Sequence, residues 1–459
     1  MDYRINSSTD SKAGGATTSS SSSHVRYWML ALIMLLSTIA YADRSVLSIA
    51  GSGIRDEFGL TPIQLGYILS AFSWAYVLGQ IPGGLLLDRF GTRAVYGTTA
   101  ILWSIATFAV GFVGELTADV TAAVVLLFAL RFALGFIEAP GFPANARLTL
   151  MWFPKEERGF PSATFSSASY FAVAIFSPLS GYLVSKLGWP APFFLLGVAG
   201  AVAAVLWFAF MREPRQHPNV SNSELDHIMK GGGLIDIDAS KTRSEAGLPS
   251  GALIKSLLSR RMLWCAYLGQ YCAVALSYFF ITWFPIYLVK DRGMDILNAG
   301  FAAVAPSLFG FAGGILGGYL SDLLVKRGFS LSLARKIPFV GGMLLATTLV
   351  CAALTDSNTM IIAIMTFAFF GKGIAAGAGT WTLVSDTAPR EAVGFAGSIF
   401  NCVGNIAGIV TPIIFGYIVA GTGSYEIGLF FVGGHCLIAA LLYAFVMGPI
   451  VRVEDKAAI

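Results

Sequence analysis

The chain has 459 residues, of which 56% are hydrophobic and 12% are charged, about half the charged fraction of an average soluble domain. That composition excludes a soluble globular protein. The net charge of +4 comes from dispersed basic residues, which form no basic stripe for nucleic acid. The sequence therefore predicts an all-α, multi-pass protein whose surroundings are a lipid bilayer and which binds no nucleic acid.

The chain begins with a polar tail, residues 1–26, which is rich in Ser, Thr, Gly and Asp. This stretch is too polar to enter a membrane and lacks the apolar core of a signal peptide. We expect it to be disordered. The first apolar run begins near Arg26 and is long enough to cross the bilayer.

Twelve apolar stretches are long enough to cross the roughly 30 Å of bilayer hydrocarbon. A polar segment divides them into two groups of six. We therefore predict an N-terminal half at 27–210, a central loop at 211–260, a C-terminal half at 261–450 and a tail at 451–459. The predicted spans lie near 27–50, 64–87, 94–114, 120–142, 162–184, 191–210, 263–288, 297–321, 337–355, 359–383, 394–419 and 427–449.

Lysine and arginine predict the orientation, because they concentrate on the cytoplasmic side of a membrane protein. Arg55, Lys186, Lys290 and Arg292 lie in odd-numbered loops, whereas the other basic residues outside the spans lie in the tails and the even-numbered loops. We therefore expect both termini and the central loop to face the cytoplasm.

The two halves repeat each other at an almost constant offset. The matched pairs, each 234 residues apart, are Gly66 and Gly300, Asp88 and Asp322, and Pro178 and Pro412. Chance matching in a glycine-rich chain is the alternative, but several registers that agree make it the weaker explanation. The match predicts two parallel six-helix repeats related by a pseudo-two-fold axis along the membrane normal, as in a major facilitator transporter.

The loop after the second span reads "GGLLLDRFGTR" at 83–93 and resembles the loop signature of the same superfamily. Its charged residues Asp88, Arg89 and Arg93, with Asp322 in the second repeat, are candidates for a gating latch between the halves. A simple turn marked by cytoplasmic positive charge is the alternative.

Five charged residues lie inside predicted spans: Asp43, Arg44, Arg131, Glu138 and Lys372. A charge within the bilayer costs several kcal/mol, so such residues usually mark substrate or proton pathways. Arg131 and Glu138 are seven residues apart, two turns along one helix face. Arg44 beside Asp43, and Arg131 on the face of Glu138, could each set the proton affinity of a carboxyl group. Static ion pairs, and a Lys372 that reaches an interface, are the alternatives.

Uncharged polar residues also follow helical spacing within the spans. Hydroxyl and amide groups with an aromatic face would suit a polyhydroxylated ligand, although each alone could equally be an interhelical hydrogen bond. Together with the deep cations they favour an anionic polyol. The residues concerned are Ser73, Tyr76, Gln80, Gln270, Tyr271, Trp381, Asn401 and Asn405.

From about Tyr27 to its end, the chain resembles the anion:cation symporter family of the major facilitator superfamily, and most closely the bacterial glucarate and galactarate transporters. Galactonate transporters are close relatives. The segments that carry the resemblance are "YADRSVLSIAG", "LSAFSWAYVLGQIPGG", "EAPGFPANAR", "WFPKEERG", "GQYCAVALSYFFITWFPIYLVK" and "FFGKG…SDTAP".

The resemblance implies proton-coupled import of a sugar acid across a bacterial inner membrane by a monomer without a cofactor or metal. It implies proton carriage by Asp43 and Glu138, with Arg131 beside them. It further implies substrate contacts, to which the deep cation Lys372 is added, from Tyr41, Arg44, Tyr76, Gln270, Trp381 and Asn401.

Two positions bear on the ligand. The family commonly has a glutamine in its fifth span where this chain has Ser169, which enlarges the cavity or removes a hydrogen bond. Lys372 agrees with the transporters of diacids, since Arg44 and Lys372 could each bind one carboxylate. A galactonate carrier, or an exporter or antiporter of organic anions, is the main alternative.

An enzyme or a sensor is the rival class, but no metal-type cluster and no signalling domain are evident in the sequence. Adjacent helical residues point about 100° apart. We therefore expect Arg44 to serve the substrate and Asp43 to serve the proton, rather than to neutralise each other.

Overall fold

The computed structural model describes residues 23–236, 255, 257–379, 381–388 and 393–453, with only the backbone described at 381, 385 and 393–395. The predicted tail up to residue 22, most of 237–256 and the last six residues lie outside this part. The regular secondary structure of the described part is helical throughout.

Twelve long helices make up most of the described chain. Ten of them satisfy the length and hydropathy expected of a membrane span, and α2 and α3 complete the predicted set. The helices are α1 Val25–Phe58, α2 Pro62–Phe90, α3 Thr92–Val110, α4 Val120–Trp152, α5 Gly159–Leu187, α6 Ala191–Phe210, α7 Arg261–Thr282, α8 Ile296–Lys326, α9 Leu331–Leu354, α10 Asn358–Gly379, α11 Val393–Thr422 and α12 Tyr425–Val446.

Several of these helices are interrupted or extended. The helix α4 breaks at Ala139 and Pro140, and α8 breaks at Ala303. Shorter helices, which follow α3, α6, α7 and α10 along the chain, are Val113–Leu116, Asn222–Lys230, Phe284–Lys290 and Trp381–Thr387.

A tight connection joins α1 to α2. Gly59 ends α1 with φ 63°, a left-handed conformation that glycine adopts without strain. Thr61 then begins α2: its hydroxyl accepts a hydrogen bond from the backbone N–H of Gln64 at 3.2 Å, and the Gln64 side chain accepts from the backbone N–H of Thr61 at 2.9 Å. This capping box satisfies two donors of the first helical turn. We call this end of the bundle the distal end, and the end where α1 begins the terminal end.

The two six-helix halves contact each other closely at the distal end. There α2 packs along α11, and α5 packs along α8. A Cβ built on Gly66 would lie 2.6 Å from the Pro412 carbonyl oxygen, and one built on Gly300 would lie 2.6 Å from the Ser177 carbonyl oxygen. Gly66 and Gly300 were matched in the sequence repeat, so each half makes the same backbone-to-backbone contact with its partner. These two contacts, which we call the distal seal, are therefore related by the pseudo-two-fold symmetry of the halves.

Polar contacts between the halves also lie at the distal end. The guanidinium of Arg55 donates to the Tyr425 hydroxyl at 3.0 Å, and Lys290 forms an ion pair with Asp56. At the terminal end, by contrast, Asp88 pairs with Arg147 of its own half.

The first part of the central loop, 211–236, belongs structurally to the N-terminal half. The Glu224 carboxylate is fully buried and accepts hydrogen bonds from the backbone N–H groups of Val25 and Arg26 at 3.1 and 3.2 Å. It thereby caps the start of α1, where negative charge is stabilising. Ile228 packs into the core of the same half. The helical half thus begins at Val25, two residues before the predicted boundary, and includes this docked segment.

Substituting leucine for Gly66 tests the distal seal, because the new side chain would press on the backbone of α11. In a chain carrying Ala303→Cys as a reporter and Cys351→Ser to remove an exposed thiol, we expect Gly66→Leu to raise the rate of labelling by an impermeant maleimide from the distal side several-fold. Gly341→Leu is the matched control, since nothing lies within 4 Å of a Cβ at that glycine. Equal labelling rates in the two variants would contradict the seal.

Candidate functional site

A cavity of about 560 Å³ lies between the two halves. Both halves line it, with α1, α2, α4 and α5 on one side and α7, α8, α10 and α11 on the other. None of its lining residues in the described part of the chain is acidic. The sequence-predicted substrate residues that line it are Tyr41, Arg44, Tyr76, Gln270, Lys372 and Asn401.

Arg44 is the charged centre of the N-terminal wall. Its Nη2 and Nε donate to Oε2 of Glu138 at 2.9 and 3.1 Å. The guanidinium also lies 4.4 Å from the ring centroid of Phe72 and 4.8 Å from those of Tyr41 and Tyr76. A desolvated cation–π contact contributes up to about 2 kcal/mol. The three rings therefore hold Arg44 at the cavity wall together with its carboxylate partner.

Glu138 lies behind Arg44 and does not line the large cavity. It lines a side chamber of about 30 Å³ that also includes Arg44, Ser37 and Asn145. Its Oε1 is buried without a hydrogen-bond partner in the described structure. Glu138 is 3% exposed, so its contact with Arg44 is a buried ion pair at the edge of the cavity.

Arg44 does not form an ion pair with Asp43, as expected for adjacent helical residues, and Arg131 does not form one with Glu138, although the two share a helix face. Arg131 instead donates from Nη1 to the backbone carbonyl of Asp43 at 2.9 Å. Spacing on one helix shows which residues share a face, but it does not show which neighbouring helix that face meets. The ion pair that forms joins α1 to α4, across 94 residues of chain.

Asp43 faces away from the cavity, as the angle between adjacent helical residues predicts. It is 1% exposed, and neither carboxyl oxygen has a hydrogen-bond partner in the described structure. Thr107 of α3 and Arg131 interact with it. Asp43 is thus a buried carboxyl group that is separate from the cavity.

Lys372 supplies the positive charge on the C-terminal wall. Its Nζ lies 5.2 Å from the ring centroid of Phe369 and 6.0 Å from that of Tyr170, which belongs to the other half. Among the residues that the structure describes, no acidic side chain lies within ion-pair distance of Lys372. Its ammonium group is thus available to an anion in the cavity.

Two glycines of α11 bring polar side chains of α7 to the cavity. Gln270 lies against Gly404, and Tyr278 lies against Gly408. The Tyr278 hydroxyl donates to Oδ1 of Asn405 at 3.1 Å. Tyr278 was not among the residues predicted from the sequence, because a tyrosine in an apolar run resembles a core residue. The available signal was Gly408, where a Cβ would collide with the Tyr278 ring.

The remaining predicted residues differ in whether they line the cavity. Gln80 and Tyr271 do not line the cavity, and Tyr271 packs on His435 instead. The side chain of Trp381 lies outside the described part of the structure. Ser169 and Asn405 do line the cavity.

The predicted latch residues lie at the terminal end, and each of them makes its contacts within its own half. Asp88 pairs with Arg147 at 2.5 Å, and Asp322 approaches Arg335 at 3.8 Å. Arg93 donates to the carbonyl of Phe208, while Arg89 lies over the ring of Phe90. These contacts do not join the two halves. The gating latch therefore stays a prediction, for a conformation other than this one.

Comparison with known proteins places this geometry in context. The sequence profile of the Major Facilitator Superfamily matches residues 33–412. A probable galactarate/D-glucarate transporter of Bacillus subtilis is 49% identical over 94% of this chain and 94% of its own length. One from Escherichia coli K12 is 48% identical over 94% and 96%. A D-galactonate transporter of Escherichia coli O6:H1 is 39% identical over 93% and 97%.

Solved structures show the same fold at low sequence identity. The inward open xylose transporter XylE of E. coli superposes with a TM-score of 0.71 at 15% identity, covering 94% of this chain and 99% of that one. An inward-facing bacterial homologue of the human lysosomal transporter Spinster gives 0.69 at 17% identity, covering 92% and 97%.

A double-mutant cycle tests the buried pair of Arg44 and Glu138. Removing one partner leaves an uncompensated buried charge, which costs about 3–5 kcal/mol. We expect Arg44→Met to lower the free energy of unfolding by that amount, and Arg44→Met/Glu138→Met to recover most of the loss. Unfolding by SDS in mixed micelles measures both. Asp88→Asn, which breaks an exposed pair, should cost no more than about 1 kcal/mol. Additive losses in the cycle would show that the two residues are not coupled.

Proposed function

Because the chain belongs to the Major Facilitator Superfamily, we propose that it imports a sugar diacid of the galactarate and D-glucarate class together with protons, by alternating access. The names of its similar relatives support the substrate class. The cavity between the halves, with a cation on each wall, is the observation that carries the proposal.

Charge in the cavity favours a dianion. Arg44 on the N-terminal wall and Lys372 on the C-terminal wall can each bind one carboxylate, and the described lining offers no acidic side chain to repel it. Arg44 suits bidentate pairing with a carboxylate. Hydroxyl and amide groups of Tyr41, Gln270 and Asn401 line the same cavity as the two cations and suit the hydroxyls of a sugar acid. Binding the diacid would then draw the two halves together.

Proton coupling follows from competition for Arg44. While Glu138 is ionised, it occupies the guanidinium at 2.9 Å. A substrate carboxylate displaces it most readily when Glu138 carries a proton, because a neutral acid attracts the cation far less. Substrate binding and protonation of Glu138 therefore favour each other, and loss of that proton returns Arg44 to Glu138 and releases the anion.

Asp43 provides the second proton site. In the present conformation it is buried outside the cavity, and neither carboxyl oxygen has a hydrogen-bond partner in the described structure. In the proposed cycle it takes its proton when the distal side is open. Carrying protons with a dianion avoids moving net negative charge against the membrane potential, which costs about 2.3 kcal/mol per charge per 100 mV.

The conformation suits release to the cytoplasm. With both termini in the cytoplasm of a bacterium, the sealed distal end faces the periplasm, and the carrier is inward-facing. Opening the distal seal would bring the terminal ends of the halves together. Asp88 and Asp322, which now pair within their own halves, would then be placed to act across the gap.

Uptake into proteoliposomes tests the function directly. We would measure galactarate, D-glucarate, D-galactonate and D-glucuronate with and without an inward proton gradient. Accumulation of the two diacids that requires the gradient supports the proposal. Counterflow without any effect of the gradient would instead indicate an exchanger of organic anions.

Glu138→Gln tests the coupling. Glutamine cannot hold Arg44 by charge, so we expect the dissociation constant for galactarate to stay within about threefold of wild type at low pH and no longer to weaken as the pH rises. Counterflow should persist, whereas accumulation driven by a proton gradient should be lost. We expect Asp43→Asn likewise to keep binding and lose accumulation. Gradient-driven accumulation by Glu138→Gln would exclude the proposed competition.

Lys372→Met tests the second carboxylate site. Removing a hydrogen bond to a charged group costs about 1.5–3 kcal/mol, which is roughly a 10- to 100-fold loss of affinity for galactarate. D-galactonate, which has one carboxylate, should lose less than threefold. Lys326→Met, at an exposed end of α8, is the matched control. An equal loss for both ligands would mean that Lys372 does not distinguish diacids.

A further inference from the structure

Tyr278 occupies a place in the cavity that the proposed function leaves without a role. It belongs to α7 of the C-terminal half and lines the cavity together with Arg44 of the other half. The groups that interact electrostatically with Arg44 include Glu138, Tyr76 and Tyr41 of the N-terminal half, together with Tyr278 of the C-terminal half. Tyr278 is thus a residue of the C-terminal half that interacts with Arg44 of the N-terminal half.

Packing holds the Tyr278 ring against the N-terminal half. A Cβ on Gly408 would collide with both the Tyr278 ring and Oγ of Ser73, so the two side chains share the notch left by this glycine. Ser73 is the neighbour in sequence of Phe72, whose ring stacks on Arg44. Oγ of Ser73 is buried, with the residue 1% exposed, and interacts with the Tyr278 side chain. A polar group from each half therefore meets at this point beside Arg44.

The hydrogen bonds of Tyr278 leave it free to change partner. Its hydroxyl now donates to Oδ1 of Asn405 at 3.1 Å, and the Asn405 amide donates to the backbone and side-chain oxygens of Asn401 at 2.8 and 3.1 Å. A phenol O–H rotates about its C–O bond. It can turn to an incoming carboxylate, and a hydroxyl on the adjacent carbon of the ligand can then donate to the Asn405 oxygen in its place.

We propose that Tyr278 is a specificity-determining residue, whose hydroxyl donates to the same substrate carboxylate that Arg44 binds while Asn405 accepts from the neighbouring ligand hydroxyl. The inference rests on the proposed function and sharpens it: the site recognises a 2-hydroxy carboxylate end with one group from each half. A carboxylate held in this way links α1 to α7 across the cavity.

Tyr278→Phe removes only the hydroxyl oxygen. For galactarate we expect the dissociation constant to rise roughly 10- to 100-fold, as for the loss of a hydrogen bond to a charged group. For adipate, a diacid of the same length without hydroxyls, Tyr278→Phe should cost a similar factor, whereas Asn405→Leu should weaken galactarate much more than adipate. Tyr271→Phe is the matched control, since Tyr271 lies on the same helix but packs on His435 and does not line the cavity.

The outcomes separate this inference from the function on which it rests. If wild type binds galactarate and Tyr278→Phe binds it within twofold of wild type, the inference is wrong and the proposed function stands. If wild type binds neither galactarate nor D-glucarate, both are wrong. Should Tyr278→Phe fail to fold, 3-fluorotyrosine at position 278 of the intact carrier gives the answer: its fluorine resonance should shift on adding galactarate, and that of 3-fluorotyrosine at 271 should not. Absence of a shift at 278 would overturn the inference.

Discussion

The ion pair between Arg44 and Glu138 is the constraint around which the site is organised. Two charges within the membrane cost several kcal/mol each in lost hydration, so they are retained only where each satisfies the other. Here the pair sits at the cavity wall, with the guanidinium between three aromatic rings and the carboxylate behind it. An anion that approaches Arg44 meets a cation that is already paired with Glu138. In the proposed cycle, this competition for Arg44 couples anion binding to protonation of Glu138.

The distal seal complements this pair by keeping the site closed on one side. Backbone-to-backbone contacts at Gly66 and Gly300 bury little side-chain surface. The helices can therefore separate there without disengaging interlocked side chains. Small residues that allow close helix approach are typical of interfaces within membranes. Because the two contacts are equivalent in the repeat, they would open together in the proposed cycle, as one half rocks against the other. The distal seal is thus closely packed, and opening it requires little rearrangement of side chains.

Much of this architecture could be predicted from the sequence, and the failures have specific causes. Apolar length predicted the twelve spans, although α2 and α3 are too rich in small and polar residues to satisfy a strict hydropathy test. The repeat predicted the equivalence of Gly66 and Gly300. The partner of Glu138 could not be predicted, because helical spacing points to Arg131 and only tertiary packing brings α1 against α4. Tyr278 was missed for the related reason that an aromatic residue on a helix has no polar signature of its own until its neighbours are known.

The charges are divided unequally between two halves that share one fold. The N-terminal half carries Asp43, Arg44, Arg131 and Glu138 within its spans, whereas the C-terminal half contributes Lys372 and a set of amides and hydroxyls. Two halves of the same fold thus carry different sets of charged and polar side chains. In the proposed cycle, proton exchange is confined to one half, where the acids can be tuned by two arginines, and the other half reads the substrate. Arg44 belongs to the N-terminal half but lines the cavity that both halves share. In the proposed cycle, a substrate bound to Arg44 and to the C-terminal half therefore connects proton exchange with substrate recognition.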